Sequence, residues 1–362
     1  MSLNLRKYTE PDFSTPEFLN APDATLIKAP KDKVAPENYH AMSIFPEYFK
    51  VNGEWLLAKE SRMDCVAIYE NGSIKVTEFR NIRKDDLVVC GRSEDGSEGI
   101  YLYANGFNEA DSDKDVFAFR QNRSRETAFS KDYDELYDVL RHDKENGKII
   151  WVLGPAVAFD KDAKDAFSKL IDNGYVHALL AGNALATHDL EGSYLKTALG
   201  QDIYTQESVP NGHYNHLDTL NRVRYYGDIK TFLKEENIND GIVYSLEKNN
   251  IPYVLGGSIR DDGPLPVVYG DVYEAQEKMR DEIREATTVI CIATMLHSIA
   301  VGNMTPSYRI DRNENMRQVY FYCVDISEFT ANKLADRGSL SAKSIITNAQ
   351  DFIVNVCKGL KL

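Results

Sequence analysis

Cysteine is scarce in this chain, with five residues among 362 (Cys65, Cys90, Cys291, Cys323 and Cys357) and no CxxC pair. An odd, dispersed set embedded in apolar runs such as TTVICIAT and VYFYCVD excludes a disulfide framework and a structural zinc site. It suits reduced core thiols in a cytoplasmic protein. Positive charge is also the minority sign: 42 Lys and Arg stand against 56 Asp and Glu, for a net charge of -14 and a pI near 5.1. Such a surface repels phosphate backbones and anionic bilayers, so neither nucleic acid nor membrane is expected as a partner. Long hydrophobic runs are missing. The most apolar stretch, Thr287 to Val301, is too short to span a bilayer and is interrupted by His297 and Ser298. No basic-then-apolar pattern opens the chain, so no secretion signal is expected.

Nucleotide and hydrolase signatures are absent as well. There is no GxGxxG, P-loop, HExxH, GxSxG or kinase motif, which puts nucleotide hydrolysis, zinc proteolysis and common acyl-enzyme chemistry out of the front rank. The first strand of the second half ends in Gly154-Pro155-Ala156, and Pro155 has no amide to give a pyrophosphate. Any dinucleotide site is therefore not of the standard fingerprint type.

What is present is an ordinary globular composition, 43% hydrophobic and 27% charged, long enough for about two domains. The first sixty residues carry six of the twelve prolines and many aromatics with little periodicity, and read as an irregular wrap. From Met63 alternation takes over. CVAIYENGSIKVTEF places Asn71-Gly72 between two strand-like runs, a hairpin signal, and DLVVCG and GIYLYANGF continue it. After the surface helix DYDELYDVLRHDKENG the pattern becomes strand then helix. KIIWVLGPA, VHALLAGN, IPYVL, TTVICIAT, VYFYCVDIS and KSIIT are continuous apolar strands, alternating with helices such as DKDAKDAFSKLIDNG, capped by Asp160 and stopped at Gly174. A segment from Leu217 to about Glu236 reads as helix broken near Gly227, and SEFTANKLAD as another. The expected fold class is α/β: a wrap plus small antiparallel β-rich domain over residues 1–130, then a parallel-sheet, Rossmann-like domain over 131–362. The β domain either covers a site or holds a dimer together, and a homo-oligomer is expected.

The richest stretch is IPYVLGGSIRDDGPLP, Ile251 to Pro266. A short strand runs into Gly256-Gly257, which let backbone approach a ligand, and then Ser258, Arg260, Asp261 and Asp262 crowd together before the Gly263-Pro264 turn. Similar strand-end groups recur. Asn183-Ala184 with Thr187-His188-Asp189 reads as the exit loop of a strand, with a capped helix start as the alternative. Thr294-Met295-Leu296-His297 offers amides, a hydroxyl and an imidazole together. Asp262 and Asp325 follow strands where a carboxylate can accept ribose hydroxyls, although Asp325 equally suits a helix cap. His213 and His216 are three apart but lack a third ligand nearby, so no metal is expected.

The strings LLAGNALATHD, GGSIRDDGPLP, ATMLHSIAVGN and CVDIS followed by KLADRGS, together with GPAVAF and GHYNHLDTLN, resemble the LOR/SDH conserved-region family. That family includes archaeal-type ornithine cyclodeaminases and the C-terminal part of bifunctional arginine dihydrolase/ornithine cyclodeaminases. The match runs from about Met63 to the C-terminus. The resemblance implies a deoxyhypusine-synthase-like NAD-binding domain. It implies NAD contacts at Asn183, Ala184, Asp262, Thr294, Met295, Leu296, His297, Asp325, Asn348 and Ala349, to which the loop's own composition adds Gly257 and Ser258. Asn348 stands where relatives carry an acidic residue, so the contact at the last strand is expected to differ.

The expected reaction is cyclisation of ornithine to proline with loss of ammonia, the hydride being taken and returned by NAD. Asp261 or Asp189 is expected to hold the distal ammonium of this small amino-acid substrate, Arg260 or Arg309 its carboxylate, and His188 or His297 to move protons. The alternatives are NAD-dependent oxidation of another amino acid or opine-type amine, and a non-catalytic NAD-binding sensor.

Overall fold

The computed structural model describes residues 5–107, 130–261, 263–310, 315–327 and 340–362. Asp262, the expected helix SEFTANKLAD after its first residue, and the string KLADRGS lie outside the described residues.

The N-terminal portion is more regular than its composition suggests. After a single helical turn, α1 (Pro16–Leu19), come β1 (Thr25–Lys28), β2 (Glu47–Val51) and β3 (Glu54–Leu57). The hairpin β4 (Cys65–Glu70) and β5 (Ser73–Glu78) turns on Asn71 and Gly72, whose φ of 50° and 79° are the positive pair that a two-residue hairpin turn requires. With β6 (Leu87–Cys90) and β7 (Ile100–Leu102), two antiparallel sheets form, in the orders β1-β6-β4-β5 and β3-β2-β7. The expected irregular wrap is thus corrected: it supplies an edge strand to one sheet and two of three strands to the other. Its aromatics still cluster, Phe13 stacking on Trp55 at 4.9 Å with Phe18 and Tyr48 edge-on.

The second portion opens with α2 (Ser130–Asn146). It is built on six parallel strands: β8 (Ile149–Leu153), β9 (Ala178–Gly182), β12 (Tyr253–Gly256), β13 (Thr288–Ile292), β16 (Tyr320–Asp325) and β17 (Ala342–Ile346). Minor hairpins are β10 (Thr197–Ala198) with β11 (Gln201–Asp202), and β14 (Tyr308–Ile310) with β15 (Met316–Gln318). The sheet order is β12-β9-β8-β13-β16-β17. In chain order this is 3-2-1-4-5-6, the doubly wound arrangement, with its reversal between β8 and β13. Sheets covered on both faces need strands apolar on both sides, and β8 and β13 are buried at every residue.

Helices α3 (Lys161–Asp172), α4 (Asn183–Leu195), α5 (Asn215–Tyr226), α6 (Ile229–Glu235), α7 (Ile242–Asn249) and α10 (Ala349–Gly359) pack around the larger core, which includes Trp151, Phe167, Phe232 and Phe352. Helices α8 (Val272–Ile283) and α9 (Met295–Met304) cover the opposite face through Met279, Ile283 and Val301. Asp160 caps α3 by accepting from Ala163 N, and Gly227 at φ 87° separates α5 from α6, both as the sequence predicts. No helix among the described residues is long and apolar enough to cross a membrane.

The two portions meet on charge. Arg62 and Arg280, both buried, converge on Glu78 of β5. Arg280 Nε lies 2.9 Å from Glu78 Oε1 as an ion pair without hydrogen-bond alignment, and Arg62 Nη1 donates directly. Arg80 reaches Gln276 and Glu277 on α8, and Tyr308 of β14 donates to Ala58 O at 2.7 Å.

Candidate functional site

Parallel strands deliver their C-terminal ends to one edge, and that edge carries most of the expected residues. At its centre β8 passes into Gly154, whose N–H donates to Ile292 O at 2.8 Å, while a Cβ there would lie 1.9 Å from Ala293 O. Only a glycine lets the two strand ends of the switch point touch. Ala293 itself adopts φ 50°, a left-handed turn that costs an L-residue about 1 kcal/mol and swings the chain from β13 into α9.

On the next two strands, Gly182 of β9 and Gly256 of β12 are register partners. The His297 ring seats against both: a Cβ on Gly182 would be 2.9 Å from His297 Cε1, and one on Gly256 3.6 Å from Nε2. Thr294 Oγ1 lies 3.2 Å from His297 Nδ1. Burial pushes the His297 pKa down, so the ring is neutral at pH 7. Neither Gly182 before α4 nor Thr294 before α9 provides a side-chain cap, so both helices present first-turn amides to the edge. Met295, Leu296 and Ile326 expose apolar side chains along it.

On the far side, Asp325 accepts from Ser327 N at 2.8 Å through Oδ1. Asn348 spends its carboxamide oxygen capping α10, accepting from Gln350 N at 2.7 Å. Ala349 is buried, and Gln350 ties this strand end to Ala156 O at 2.7 Å.

Beside the edge at β9 and β12 lies a cavity of about 390 Å³ lined by Asn183, Ala184, His188, His216, Arg224, Arg260 and Asp261, with Leu217 and Leu220 as apolar wall. The expected residues Asn183, Ala184, His188, Arg260 and Asp261 are therefore brought together. Asn183 Oδ1 accepts Leu265 N at 3.0 Å, which pins Leu265 against α4. Arg224 donates to Pro264 O at 2.9 Å from the other side. Within the loop, Asp261 Oδ2 accepts Ser258 N at 2.9 Å, Ser258 Oγ accepts Arg260 N at 3.2 Å, and Gly257 N donates to Tyr269 O at 2.9 Å.

Three expectations are corrected. The segment after β9 is not an exit loop, since α4 starts at Asn183. Asp189 is fully buried, with both oxygens accepting the N–H groups of Ile242 and Val243 at the start of α7 (3.0 and 2.8 Å) and Lys164 Nζ 3.2 Å away. It caps a helix and has no face toward the cavity. Arg309 lies on β14 and donates to Glu285 O, which precedes β13 at the edge opposite the site.

Residues that sequence reasoning missed are Glu191, Thr197 and Arg224. The His188-x-x-Glu191 spacing, one helical turn apart, was the available signal, but it carries meaning only once the segment is known to be helix.

Fold and edge together define a Rossmann-type α/β protein with a polar cavity beside the strand-end edge. The chain belongs to the family of arginine dihydrolase ArgZ-like C-terminal Rossmann-fold domains, whose model matches residues 135–356. It is 38% identical over 350 residues to an ornithine cyclodeaminase of Methanocaldococcus jannaschii, covering 94% of this chain and 78% of that protein. Among solved structures, a conserved LOR/SDH protein of Methanococcus maripaludis superposes with a TM-score of 0.84 at 34% identity, covering 94% of this chain and 98% of the other. AgrE, the bifunctional arginine dihydrolase/ornithine cyclodeaminase of Nostoc, is known as a ternary complex with ornithine and NAD+. It matches with a TM-score of 0.60 at 31% identity, covering 96% of this chain and 46% of that one.

Proposed function

We propose that this protein is an NAD-dependent ornithine cyclodeaminase that converts ornithine to proline and ammonia. The observation that carries the reading is the cavity itself. It joins basic side chains, a carboxylate and two imidazoles to the strand-end edge where a dinucleotide binds in doubly wound folds. The relatives' names and the AgrE complex support the same substrate and cofactor.

The edge fits NAD. The uncapped first turns of α4 and α9 suit the pyrophosphate, Asp325 Oδ2 takes no hydrogen bond among the described residues and suits a ribose hydroxyl, and Met295, Leu296 and Ile326 offer apolar surface to the rings. Asp262 is part of the proposed cofactor set with Asn183, Ala184, Gly257, Ser258, Thr294, His297, Asn348 and Ala349. When bound, NAD would supply reversible hydride transfer at the substrate Cα. The protein's own tasks are to hold and deprotonate. Arg260 and Arg224 face the substrate carboxylate, Asp261 the distal ammonium, and His188 accepts the α-ammonium proton and returns it to departing ammonia. Leu217 and Leu220 limit water. The neutral His297 contributes shape and polarity at the edge without adding charge. The reading includes a homo-oligomer in a cytoplasmic setting, which suits five buried, unpaired thiols.

The test is to incubate purified protein with ornithine and NAD. Proline and ammonia without net NADH are expected. Net NADH identifies an ordinary dehydrogenase, and retained NAD without turnover identifies a binding protein. Asp325→Ala is expected to weaken NAD about 10-fold in a calorimetric titration, the value of a lost charged hydrogen bond of about 1.5 kcal/mol. Unchanged affinity removes Asp325 from the cofactor set.

A further inference from the structure

We propose that Glu191 is a positioning residue that holds the His188 ring with its proton on Nδ1 and its Nε2 turned toward the cavity. The inference deepens the functional reading above and rests on it for the role of His188, though not for the geometry.

Glu191 is wholly buried on α4, one turn beyond His188. Its Oε2 lies 2.9 Å from His188 Nδ1, and its Oε1 accepts from Thr197 Oγ1 at 2.8 Å. Thr197 Oγ1 in turn accepts from Asn215 Nδ2 at 2.9 Å, so its single proton is committed to Glu191. Direction then passes along the chain: Asn215 to Thr197 to Glu191, with His188 donating from the other end. A carboxylate buried so deeply persists only where donors satisfy it, and here the donors on its two oxygens are a hydroxyl and an imidazole N–H.

The ring has little other freedom. Phe159 meets it edge-on at 5.4 Å, and His216 from α5 stands at 6.3 Å between ring centres. Arg224, Arg260 and Asp261 are the charged groups that share the cavity with its exposed side. With Nδ1 taken by Glu191, Nε2 is the atom left to accept a proton from a substrate ammonium and to give one back. A carboxylate on the far nitrogen favours the imidazolium formed in between.

A purely architectural role is the competing explanation, because Thr197 lies on β10 and Glu191 anchors that hairpin to α4. Glu191→Gln separates the two: its carbonyl oxygen still accepts from Thr197, but its NH2 meets His188 Nδ1 and drives the ring proton to Nε2. Long-range proton–nitrogen NMR on histidine-labelled protein at about pH 8, with His188 assigned by its loss in His188→Ala, is expected to show the Nδ1–H form in wild type and the Nε2–H form in E191Q.

With ornithine and NAD, E191Q is expected to lose about 30-fold in kcat with KM changed less than about 3-fold. Glu191→Asp, which keeps the charge, is expected to keep the Nδ1–H form and recover part of kcat. His188→Ala alone is expected to cost about 100-fold, and adding E191Q to it less than about 2-fold more.

A wild-type Nε2–H ring, a Gln variant that leaves the tautomer unchanged, or a further loss of about 10-fold in the double variant would each overturn the proposal. If the tautomers behave as expected but wild type does not convert ornithine, the positioning role stands and the substrate reading falls.

Discussion

Alanine at position 154 should destabilise the protein by at least about 4 kcal/mol and abolish NAD binding, although it adds one methyl group. The backbone there, φ -82° and ψ 165°, suits any residue, so the penalty comes from space alone. The added carbon would sit 1.9 Å from the Ala293 carbonyl oxygen and 3.3 Å from that of Ile292. Neither obstacle is a side chain that can swing aside. Relief requires β8 and β13 to part at the one place where the sheet's direction of winding reverses, breaking the Gly154 N to Ile292 O bond of 2.8 Å on the way. Urea unfolding and a cofactor titration together read this out. A variant that melts within about 2 °C of wild type and still binds NAD would show that the strand ends are looser than described.

Removing the Glu78 carboxylate is the second large effect, and it acts at the seam between the two portions. Burial alone would raise its pKa, but the Arg62 and Arg280 guanidiniums outweigh burial and hold it down to about 2. Glu78→Ala removes the anion that two buried cations share, and because Arg62 keeps Glu60 at 3.0 Å and Arg280 keeps Glu277 at 2.7 Å the loss is expected at about 3 kcal/mol. Glu78→Gln, which keeps the size and removes the charge, separates charge from packing.

The sign with pH follows from the depressed folded value. The unfolded chain takes up the proton first, so the carboxylate's contribution is complete above the ordinary value near 4.5 and is lost as pH falls from there toward about 2. Melting curves should therefore show wild type and E78Q converging across that window, with E78Q the less stable at pH 7. Parallel curves, or equal stability at pH 7, would mean the ion cluster is incidental to the junction.

Much of the second portion was legible because its strands are buried on both faces. Continuous apolar runs such as KIIWVLGPA and TTVICIAT have no surface reading, and all six expected strands of this kind are the six of the sheet. The Asn71-Gly72 turn was legible for the opposite reason, since its geometry is local.

What failed were segments whose structure depends on distant partners. Strand β1 is mostly exposed, with the pattern of a solvated loop, and becomes a strand only because β6 lies beside it. Helix α4 buries polar residues around much of its circumference, among them Asn183, Thr187, Asp189, Glu191 and Ser193, so no apolar stripe announced it. That same feature hid the site. The positions of Asn183 and His188 were readable as a strand end, whereas the roles of Asp189 as a helix cap and Glu191 as a partner of His188 depend on which way a helix is turned.

The winding order also has a meaning for how the protein is made. Strand β8, the first of the parallel set to leave the ribosome, lies in the middle of the finished sheet, and its two later neighbours arrive on either flank. Each new strand can therefore add to an exposed edge without threading between strands already paired, so the sheet widens outward as translation proceeds. The switch point, complete only when β13 joins β8, forms at the midpoint of that growth. The cavity at β9 and β12 takes shape on the flank completed first.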